Sequence, residues 1–413
     1  MEKITFCIPS KSNLRYLKTC IPSIRENAYR KDHDIIVFVD QDDDGTVEWL
    51  SQFAEEYKVK FYINPNWYSK NPNVELYGIG RAYDYCIEHS ETEVFMIFHA
   101  DMMLGINADL NAFKQLSPMT VVCSTRIEPP LHPNAGEKII KDFGIWPEDF
   151  KNKEFNEFVI SQLGTDKVTG GIFAPWMMFK EDYKILGGHD PILKSAREDS
   201  DLFNRMLLAG FEFKQPWNSM VYHLTGRGGQ FQHGEISKDH EQKSEEWQKL
   251  MNNSTMDFIR KWGSQVMHTS LMKPIVVPKY NIAFVVNSCN YDTLRYLEPF
   301  CDRIYIEDEM QVLYSYYWDE FQKDTEFDLS KRVLNLNTND PDGENDIVVF
   351  MNNKTLTQQD YEMIPLISRI IGQIESPGIY AVGNLTIKVN SIITYEKEYI
   401  TLDNTEYLNK LKK

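Results

Sequence analysis

The sequence predicts an α/β protein in which a larger domain, built on a mostly parallel sheet, precedes a smaller α/β domain. In the first half of the 413-residue chain, short apolar runs alternate with segments of helical spacing. This alternation is typical of parallel sheets covered by helices. A second alternation begins near Asn281, after Pro274 and Pro278. We therefore predict a first domain over 1–235, a helical linker over 236–275 and a second domain over 276–413.

In the first domain, strands are predicted from apolar runs and helices from apolar residues that recur every three or four positions. The strands are expected at 4–9, 34–40, 59–63, 94–99, 120–125, 173–179 and 218–223. The helices are expected at 14–24, 47–57, 80–89, 110–116 and 197–209. Residues 128–153 are rich in Pro, Gly and charge, and we predict mostly loop there.

In the second domain, strands are expected at 281–287, 303–306 and 347–351, helices at 294–301 and 361–374, and several antiparallel strands over 378–399. The tetrapeptide Leu-Arg-Tyr-Leu occurs at 14–17 and again at 294–297, after the first strand of each domain. This repeat is compatible with chance and with a second domain that is a degenerate relative of the first.

Composition and charge exclude several classes of protein. The net charge of −17 argues against a protein that coats nucleic acid, because such proteins neutralise phosphates with clustered Lys and Arg. No apolar run approaches the roughly 20 residues that span a bilayer, and residues 1–6 carry no secretory signal. The six cysteines lie among apolar neighbours without a Cys-x-x-Cys pair. These features predict a cytoplasmic protein with reduced thiols.

The apolar run 94–98 leads directly into His99, Ala100 and Asp101. Side chains alternate along a strand, so His99 and Asp101 are expected on the same side. Carboxylate oxygens suit Mg²⁺ and Mn²⁺, and imidazole is tolerated better by Mn²⁺. The triplet is therefore a candidate cation site, although a strand that simply ends in polar residues also explains it.

Asp40 ends a second buried strand and precedes an acidic, glycine-containing turn. Open α/β sheets bind their ligands beyond the carboxyl ends of the strands, so Asp40 is a candidate acceptor for a nucleobase or ribose. An ordinary solvated turn explains the same residues.

A third acidic group, Glu198, Asp199 and Asp201, begins a predicted helix. Ser195 and Glu198 fit a capping box, and acids in a first helical turn are favoured by the helix dipole. The alternative is that one acid is a general base, and Asp199 is our choice.

His223 ends the last strand of the first domain and is followed by three glycines within six residues, with Arg227 among them. This composition is typical of a loop that closes over a diphosphate, to which Arg227 would donate charge-assisted hydrogen bonds. A flexible turn without a ligand is the alternative.

In their order and spacing, these elements resemble the A-type (GT-A) glycosyltransferase fold, and the inverting family-two glycosyltransferases in particular. The segments that carry the resemblance are 6–13, 36–40, 80–82, 98–101, 187–190, 198–202 and 210–211. The match covers roughly 3–230. One departure is His99, which stands where the family has the first acid of its Asp-x-Asp motif.

The resemblance implies a Rossmann-like sheet and a nucleotide-diphosphate sugar donor, with uridine favoured. It implies Mn²⁺ or Mg²⁺ bound by Asp101, His223 and His99, and catalysis by Asp199 with Glu198. The implied donor contacts are Pro9, Ser10, Asp40, Arg81, His99, Ala100 and Arg227. Glycan, protein and other hydroxyl-bearing acceptors remain open, as does a homo-oligomer.

Three other functions fit parts of the sequence. A retaining transferase could use the same fold, and product anomer analysis would distinguish it. Nucleotidyltransferases usually carry a glycine-rich, lysine-containing loop directly after the first strand. The turn at 10–13 has no glycine, which argues against this class of enzyme. A non-catalytic module that binds nucleotide-sugar or glycan is compatible with His99 in the metal motif, and a donor-hydrolysis assay would distinguish it.

Overall fold

The computed structural model describes residues 1–65, 77–131, 135–225, 245–307 and 311–404. Contacts divide the chain into two compact units. The first comprises Met1–Lys249, His268–Pro274 and the segment that begins at Thr401. The second comprises Leu250–Met267 and Ile275–Ile400. The segment 236–275, which we expected to be a linker, is thus divided between the two units.

The first unit alternates strands and helices. Its strands are β1 (Ile4–Lys11), β2 (Asp34–Gln41), β3 (Val59–Ile63), β4 (Val94–Ile97), β5 (Met102–Leu104), β6 (Thr120–Cys123), β7 (Thr125–Glu128), β8 (Ile139–Ile140), β9 (Val168–Thr169), β10 (Trp176–Phe179), β11 (Glu212–Pro216) and β12 (Met220–His223). Its helices are α1 (Leu14–Asn27), α2 (Thr46–Phe53), α3 (Ile79–Glu88), α4 (Ala108–Phe113), α5 (Asn152–Gln162), α6 (Lys180–Ile185) and α7 (Glu198–Leu208).

The strands form an eight-stranded sheet in the order β3-β2-β1-β4-β10-β6-β11-β9. Strands β1 to β4 pair in parallel, and β10 lies antiparallel between β4 and β6. A smaller sheet has the order β5-β12-β7-β8. The predicted α/β class and the mostly parallel first sheet are confirmed.

The central strands β1, β2 and β4 are buried on both faces, which is why they are largely apolar. Along β4, Val94 and Met96 belong to one hydrophobic cluster, whereas Phe95 and Ile97 belong to another. The first cluster includes residues of α1, and the second includes residues of α3 and α7. Helices therefore cover both faces, as the sequence pattern predicts.

Several elements of the first unit differ from the sequence prediction, among them the unpredicted β5, β8, β9, β11 and α6. The strand expected over 94–99 ends at Ile97, and the chain turns where the carbonyl of His99 accepts a hydrogen bond from the amide of Met102 (3.2 Å). The strand expected over 120–125 is divided between the two sheets at Ser124. Helix α5 forms in a segment for which no helix was predicted.

The second unit is also an α/β unit. Its strands are β13 (Ile282–Asn287), β14 (Arg303–Ile306), β15 (Val333–Asn335), β16 (Ile347–Asn352), β17 (Gly378–Val382) and β18 (Leu385–Val389). Helix α8 (Glu245–Trp262) enters it at Leu250, and it also contains α9 (Tyr291–Leu297), α10 (Gln311–Phe321), α11 (Pro341–Glu344), α12 (Gln358–Met363) and α13 (Ile367–Ile371).

The sheet of the second unit has the order β15-β14-β13-β16-β18-β17. Strands β13 to β16 are parallel, and β17 and β18 are antiparallel. The helix predicted over 361–374 is interrupted at Pro365, which lacks an amide hydrogen to continue the helical ladder. Helix α10 was not predicted, and the segment 378–399 contains two strands.

All six cysteines are free and buried. In the part of the chain that the structure describes, no helix has the length and apolar character needed to cross a membrane.

Candidate active site

The histidine and carboxylate predicted to bind a cation are brought together by the pairing of two short strands. Strand β12 runs antiparallel to β5, with His223 opposite Met102. The amide of Leu224 donates to the carbonyl of Asp101 (3.0 Å), which extends this pairing by one residue. His223 therefore lies beside Asp101, although the two are far apart in the sequence.

His99, Asp101 and His223 each offer a ligand atom, and the three atoms lie within 4.8 Å of one another. Nε2 of His223 is 3.7 Å from Oδ1 of Asp101. This oxygen is buried and has no hydrogen-bond partner among the described residues. A buried carboxylate oxygen beside two imidazoles is a donor set that suits a divalent cation. The three residues thus fit the group that the resemblance implies.

Glu128, at the end of β7, contacts the ring nitrogen of His223 that is remote from Asp101. Its Oε1 lies 3.0 Å from Nδ1 of His223, and its Oε2 accepts a hydrogen bond from Lys138 (2.7 Å). Burial acts to raise the pKa of Glu128, but the hydrogen bond from His223 and the charge of Arg126 outweigh it and hold the pKa below its usual range. An ionised Glu128 fixes Nδ1 as the donor, which leaves Nε2 as the ligand atom.

His99 is kept neutral by its surroundings. Burial lowers the pKa of His99 to about 4, against an opposing effect of the Asp101 charge. The ring of Tyr83 lies parallel to the ring of His99, with a centroid distance of 6.4 Å. A neutral imidazole has a lone pair, so His99 is in the state that can bind a cation near neutral pH.

Helix α7 presents its first acids to the same region. The charge of Asp199 acts on the pKa of His99, and the charges of Glu198 and Asp101 both act on that of Tyr83. Asp199 is exposed, and its Oδ1 accepts hydrogen bonds from the amide (2.6 Å) and hydroxyl (3.1 Å) of Ser200. The structure thus brings Asp199 and Asp101 into one electrostatic environment.

Glu198 does not cap the helix. The residue before α7 is Arg197, in a left-handed conformation (φ 69°), and no side chain caps this terminus. Oε2 of Glu198 is buried without a hydrogen-bond partner among the described residues. Burial raises the pKa of Glu198 to about 8, and the charge of Asp199 acts in the same direction. The capping-box interpretation of Ser195 and Glu198 is therefore wrong.

Helix α3 can lie close to α7 because its second residue is Gly80, which has no Cβ atom. A Cβ atom at Gly80 would lie 2.9 Å from Cβ of His189 and 3.4 Å from Cβ of Glu198. His189 is buried, and its Nδ1 lies 2.9 Å from Asp84 and 2.6 Å from the hydroxyl of Tyr183. This polar network fixes the segment that leads to α7.

The turn at Gly187 and Gly188 is held by a buried ion pair. Arg205 pairs with Asp201 (2.8 Å) and donates to the carbonyls of Leu186 and Gly188, both at 2.7 Å. The chain returns to this turn at its far end. Asn404 donates to the carbonyls of Gly187 (2.8 Å) and His189 (3.1 Å).

Asp40 lies at the carboxyl end of β2, and its carboxylate is bound within the protein. Its Oδ1 accepts from the side chain of Asn64 and the amide of Tyr77, both at 2.8 Å. Its Oδ2 accepts from the amide of Gly78 (3.1 Å). In this structure Asp40 therefore anchors the start of α3.

The other predicted donor residues are dispersed around the same sheet. Pro9 and Ser10 lie in β1, next to β2, and the buried hydroxyl of Ser10 has no hydrogen-bond partner among the described residues. Arg81 is in the first turn of α3, and Ala100 is buried between His99 and Asp101. Arg227 lies outside the described residues.

Three residues of the site were missed by sequence reasoning: Tyr83, Arg126 and Glu128. Arg126 lies with its guanidinium 4.2 Å from the ring centroid of Phe173, and its charge acts on the pKa of His99. Glu128 and His223 are 95 residues apart. The strand pairing that joins them leaves no local signal in the sequence.

The first sheet is mostly parallel, and the candidate cation site lies just after β4, where open α/β sheets bind their ligands. Residues 5–186 match the family model described as glycosyl transferase family 2. This part of the chain, somewhat under half of its length, is therefore similar to the glycosyl transferase family 2 domain.

Solved structures of two other proteins match about half of this chain. S. aureus TarS 1–349 in complex with UDP has 13% sequence identity and a TM-score of 0.37, and the match covers 54% of this chain and 60% of that chain. The mannosyltransferase PcManGT from Pyrobaculum calidifontis, in complex with GDP-Man and Mn²⁺, has 16% identity and a TM-score of 0.39, with 55% and 58% covered. A comparison with curated proteins gave no match.

Proposed function

We propose that the protein is a metal-dependent, inverting glycosyltransferase that moves a sugar from a nucleoside-diphosphate donor, a UDP-sugar, to an acceptor hydroxyl. The observation that carries the proposal is the cluster of His99, Asp101 and His223, whose ligand atoms lie within 4.8 Å of one another. The family match of residues 5–186 supports the same reaction class.

In this proposal, His99, Asp101 and His223 hold a divalent cation. When bound, such a cation supplies positive charge that stabilises the leaving diphosphate. Glu128 keeps the imidazole of His223 in the ligating tautomer through the contact at Nδ1 (3.0 Å). Arg81, Arg227 and Asp40 are proposed to contact the donor through phosphate and base.

Asp199 is the proposed general base, and it accepts the proton of the acceptor hydroxyl as that oxygen attacks the anomeric carbon. Its exposure gives an acceptor access to the carboxylate. The raised pKa of the adjacent Glu198, about 8, keeps that side chain protonated at neutral pH. Glu198 therefore adds no second negative charge next to the base. A single displacement inverts the anomeric configuration.

The test is turnover with a panel of UDP-sugars and simple hydroxyl acceptors in Mn²⁺ or Mg²⁺. We expect release of the nucleoside diphosphate, loss of activity in EDTA, and a product whose anomeric configuration, read by NMR, is inverted. The variant Asp101→Ala should lose metal-dependent nucleotide binding, whereas the exposed-surface variant Asp166→Asn should keep it. Retention of configuration, or turnover in EDTA equal to that in Mn²⁺, would contradict the proposal.

A further inference from the structure

The second unit repeats the strand order of the first. The order β15-β14-β13-β16 corresponds to β3-β2-β1-β4, and in both units the next strand, β18 or β10, is antiparallel. The loops after β1 and β13 each contain a serine in the left-handed region, Ser12 (φ 51°) and Ser288 (φ 54°). The Leu-Arg-Tyr-Leu repeat follows these two loops. The two units are thus built on the same topology.

The correspondence extends to the fourth strand of each unit. The amide of Phe98, just after β4, donates to the carbonyl of Cys7 in β1 (2.9 Å). The amide of Asn353, just after β16, donates to the carbonyl of Asn287 in β13 (3.0 Å). The edge of β13 and β16 is therefore equivalent to the edge of the first unit that carries His99 and Asp101.

A cavity of about 420 Å³ lies at this edge of the second unit. Strand order reverses between β13 and β16, and ligands of open α/β sheets bind outside the carboxyl ends of the strands at such a point. The residues that line the cavity are Asn290, Asp292, Thr293, Tyr296, Asn353, Gln358, Tyr361 and Glu362. The position of the cavity thus fits a ligand site.

The lining excludes the ligand class of the first unit. It contains carboxamides, hydroxyls and two acids, Asp292 and Glu362, and neither Lys nor Arg. An anionic ligand such as a diphosphate would meet only negative charge and dipoles here. Among the described residues, the cation-binding group of His99, Asp101 and His223 has no counterpart at this edge. The chemistry of the lining fits a neutral ligand with many hydroxyl groups.

The polar groups of the cavity are held in place before a ligand arrives. Oδ1 of Asn353 accepts hydrogen bonds from the hydroxyls of Thr293 and Tyr361, both at 2.8 Å. With its oxygen occupied, Asn353 has its amide N–H groups left to donate. The hydroxyl of Tyr296 donates to the carbonyl of Tyr361 (2.9 Å), which fixes the ring of Tyr296.

The cavity also has an aromatic wall. The side chain of Tyr296 is 38% exposed, and its ring meets the ring of Tyr361 edge to face at 5.5 Å. A sugar ring has an apolar C–H face and polar hydroxyl edges, so it needs a flat apolar surface beside a set of hydrogen-bonding groups. Tyr296 and the carboxamides of Asn290, Asn353 and Gln358 supply this combination.

We propose that this cavity is a binding site for a neutral carbohydrate chain, separate from the candidate active site. Thr293, Asn353 and Tyr361 bind sugar hydroxyls, and Tyr296 packs against the sugar ring. All these residues belong to the second unit, so the proposal does not depend on the assignment of Asp101 and Asp199 in the first.

The test is binding of the full chain to an array of neutral and acidic oligosaccharides, followed by titration calorimetry with the neutral glycan retained most strongly. Asn353→Asp keeps the two accepted hydrogen bonds but replaces the amide donors with a charge. Tyr296→Ala removes the aromatic wall. We expect each variant to weaken binding at least about tenfold, the effect of losing roughly one hydrogen bond or ring contact.

Tyr316→Ala is the matched control, because Tyr316 is an exposed aromatic residue of the same unit that does not line the cavity. It should bind the glycan as the unaltered protein does, and so should the exposed-surface variant Asp166→Asn. Thr293→Val serves as a further probe of the cavity if Tyr296→Ala lowers the melting temperature. Failure to retain any neutral glycan, or equal affinity in Asn353→Asp, Tyr296→Ala and the unaltered protein, would overturn the proposal.

Discussion

Nδ1 of His223 lies 3.0 Å from Glu128, while Nε2 of the same ring lies 3.7 Å from Asp101. One imidazole therefore connects a buried carboxylate on β7 to the proposed metal ligand after β4. Because Glu128 is also bound by Lys138 (2.7 Å), it cannot easily follow a displaced ring. The orientation of His223 is thus set before any cation binds.

Replacement of Glu128 should weaken cation binding without removing a ligand. In Glu128→Gln the charge that orients His223 is lost, and we expect the affinity for Mn²⁺ to fall about 10–100-fold. Calorimetric titration of the apo protein with Mn²⁺ measures this directly. Glu157→Gln, an exposed change on α5, is the control and should leave the affinity unchanged. Equal affinities in Glu128→Gln and the control would show that the contact to His223 has no role.

Asp199→Asn should abolish transfer and leave donor binding intact. Loss of a general base lowers kcat by about 10²–10⁴-fold, whereas the donor KM should change little because Asp199 is proposed to contact the acceptor. Steady-state kinetics with varied donor separates the two quantities. The exposed Asp166→Asn is the matched control. Normal turnover by Asp199→Asn would rule out Asp199 as the base.

Glu198 should make the protein less stable as the pH rises. Its pKa is about 8 in the folded state, raised by burial from an ordinary value of 4.5. The folded state therefore keeps a proton that the unfolded state releases, and this contribution is full below pH 4.5 and is lost as the pH rises through about 8. We expect thermal melts of the unaltered protein to lose more stability between pH 5 and 8 than those of Glu198→Gln, by at least about 1 kcal/mol.

The control for that comparison is Glu55→Gln, in which an exposed carboxylate is replaced. Its melting temperatures should follow those of the unaltered protein at every pH. If the melting temperatures of Glu198→Gln also follow those of the unaltered protein at every pH, Glu198 is ionised in the folded state. The proposal that Glu198 places no negative charge next to Asp199 would then be wrong.

Gly80→Ala should destabilise the first unit. Alanine is about 1 kcal/mol better than glycine in a helix, but its Cβ would lie 2.9 Å from Cβ of His189. Overpacking of this kind costs about 1–3 kcal/mol, so we expect a lower melting temperature by differential scanning fluorimetry. Gly164→Ala is the control, since a Cβ there meets nothing within 4 Å. A melting temperature for Gly80→Ala at or above that of Gly164→Ala would contradict the prediction.

The central strands could be predicted from the sequence, whereas the contacts that hold the site residues could not, because only the strands leave a local pattern. Strands such as β2 and β4 are buried on both faces, so each is a continuous apolar run that can be read locally. The contact between Glu128 and His223 depends on the pairing of short strands 95 residues apart. His99 and Asp101 were expected to share a face of a strand. They meet instead through a turn after Ile97.

The sequence also predicted the surroundings of the three acids Asp199, Glu198 and Asp40 to different extents. Asp199 was selected from a helix start; its charge acts on the pKa of His99, and its role as the base stays a prediction. The burial of Glu198 was not foreseen, because a capping box explained it equally well. For Asp40, no local pattern indicated that its carboxylate accepts hydrogen bonds from the amides of Tyr77 and Gly78, which are 37 and 38 residues away.

The hydrogen bonds between residues 401–404 and the turn at Gly187 affect how the protein responds to proteolysis and in which order it folds. Thr401 and Asn404 bond to carbonyls of Ile185 and Gly187, so the first unit is completed only after the second has been traversed. A protease cut near residue 249 would produce an N-terminal fragment that lacks the hydrogen bonds from Thr401 and Asn404. During synthesis on the ribosome, the turn before α7 cannot form these bonds until residues 401–404 have left the exit tunnel, so its final ordering follows the synthesis of the whole second unit.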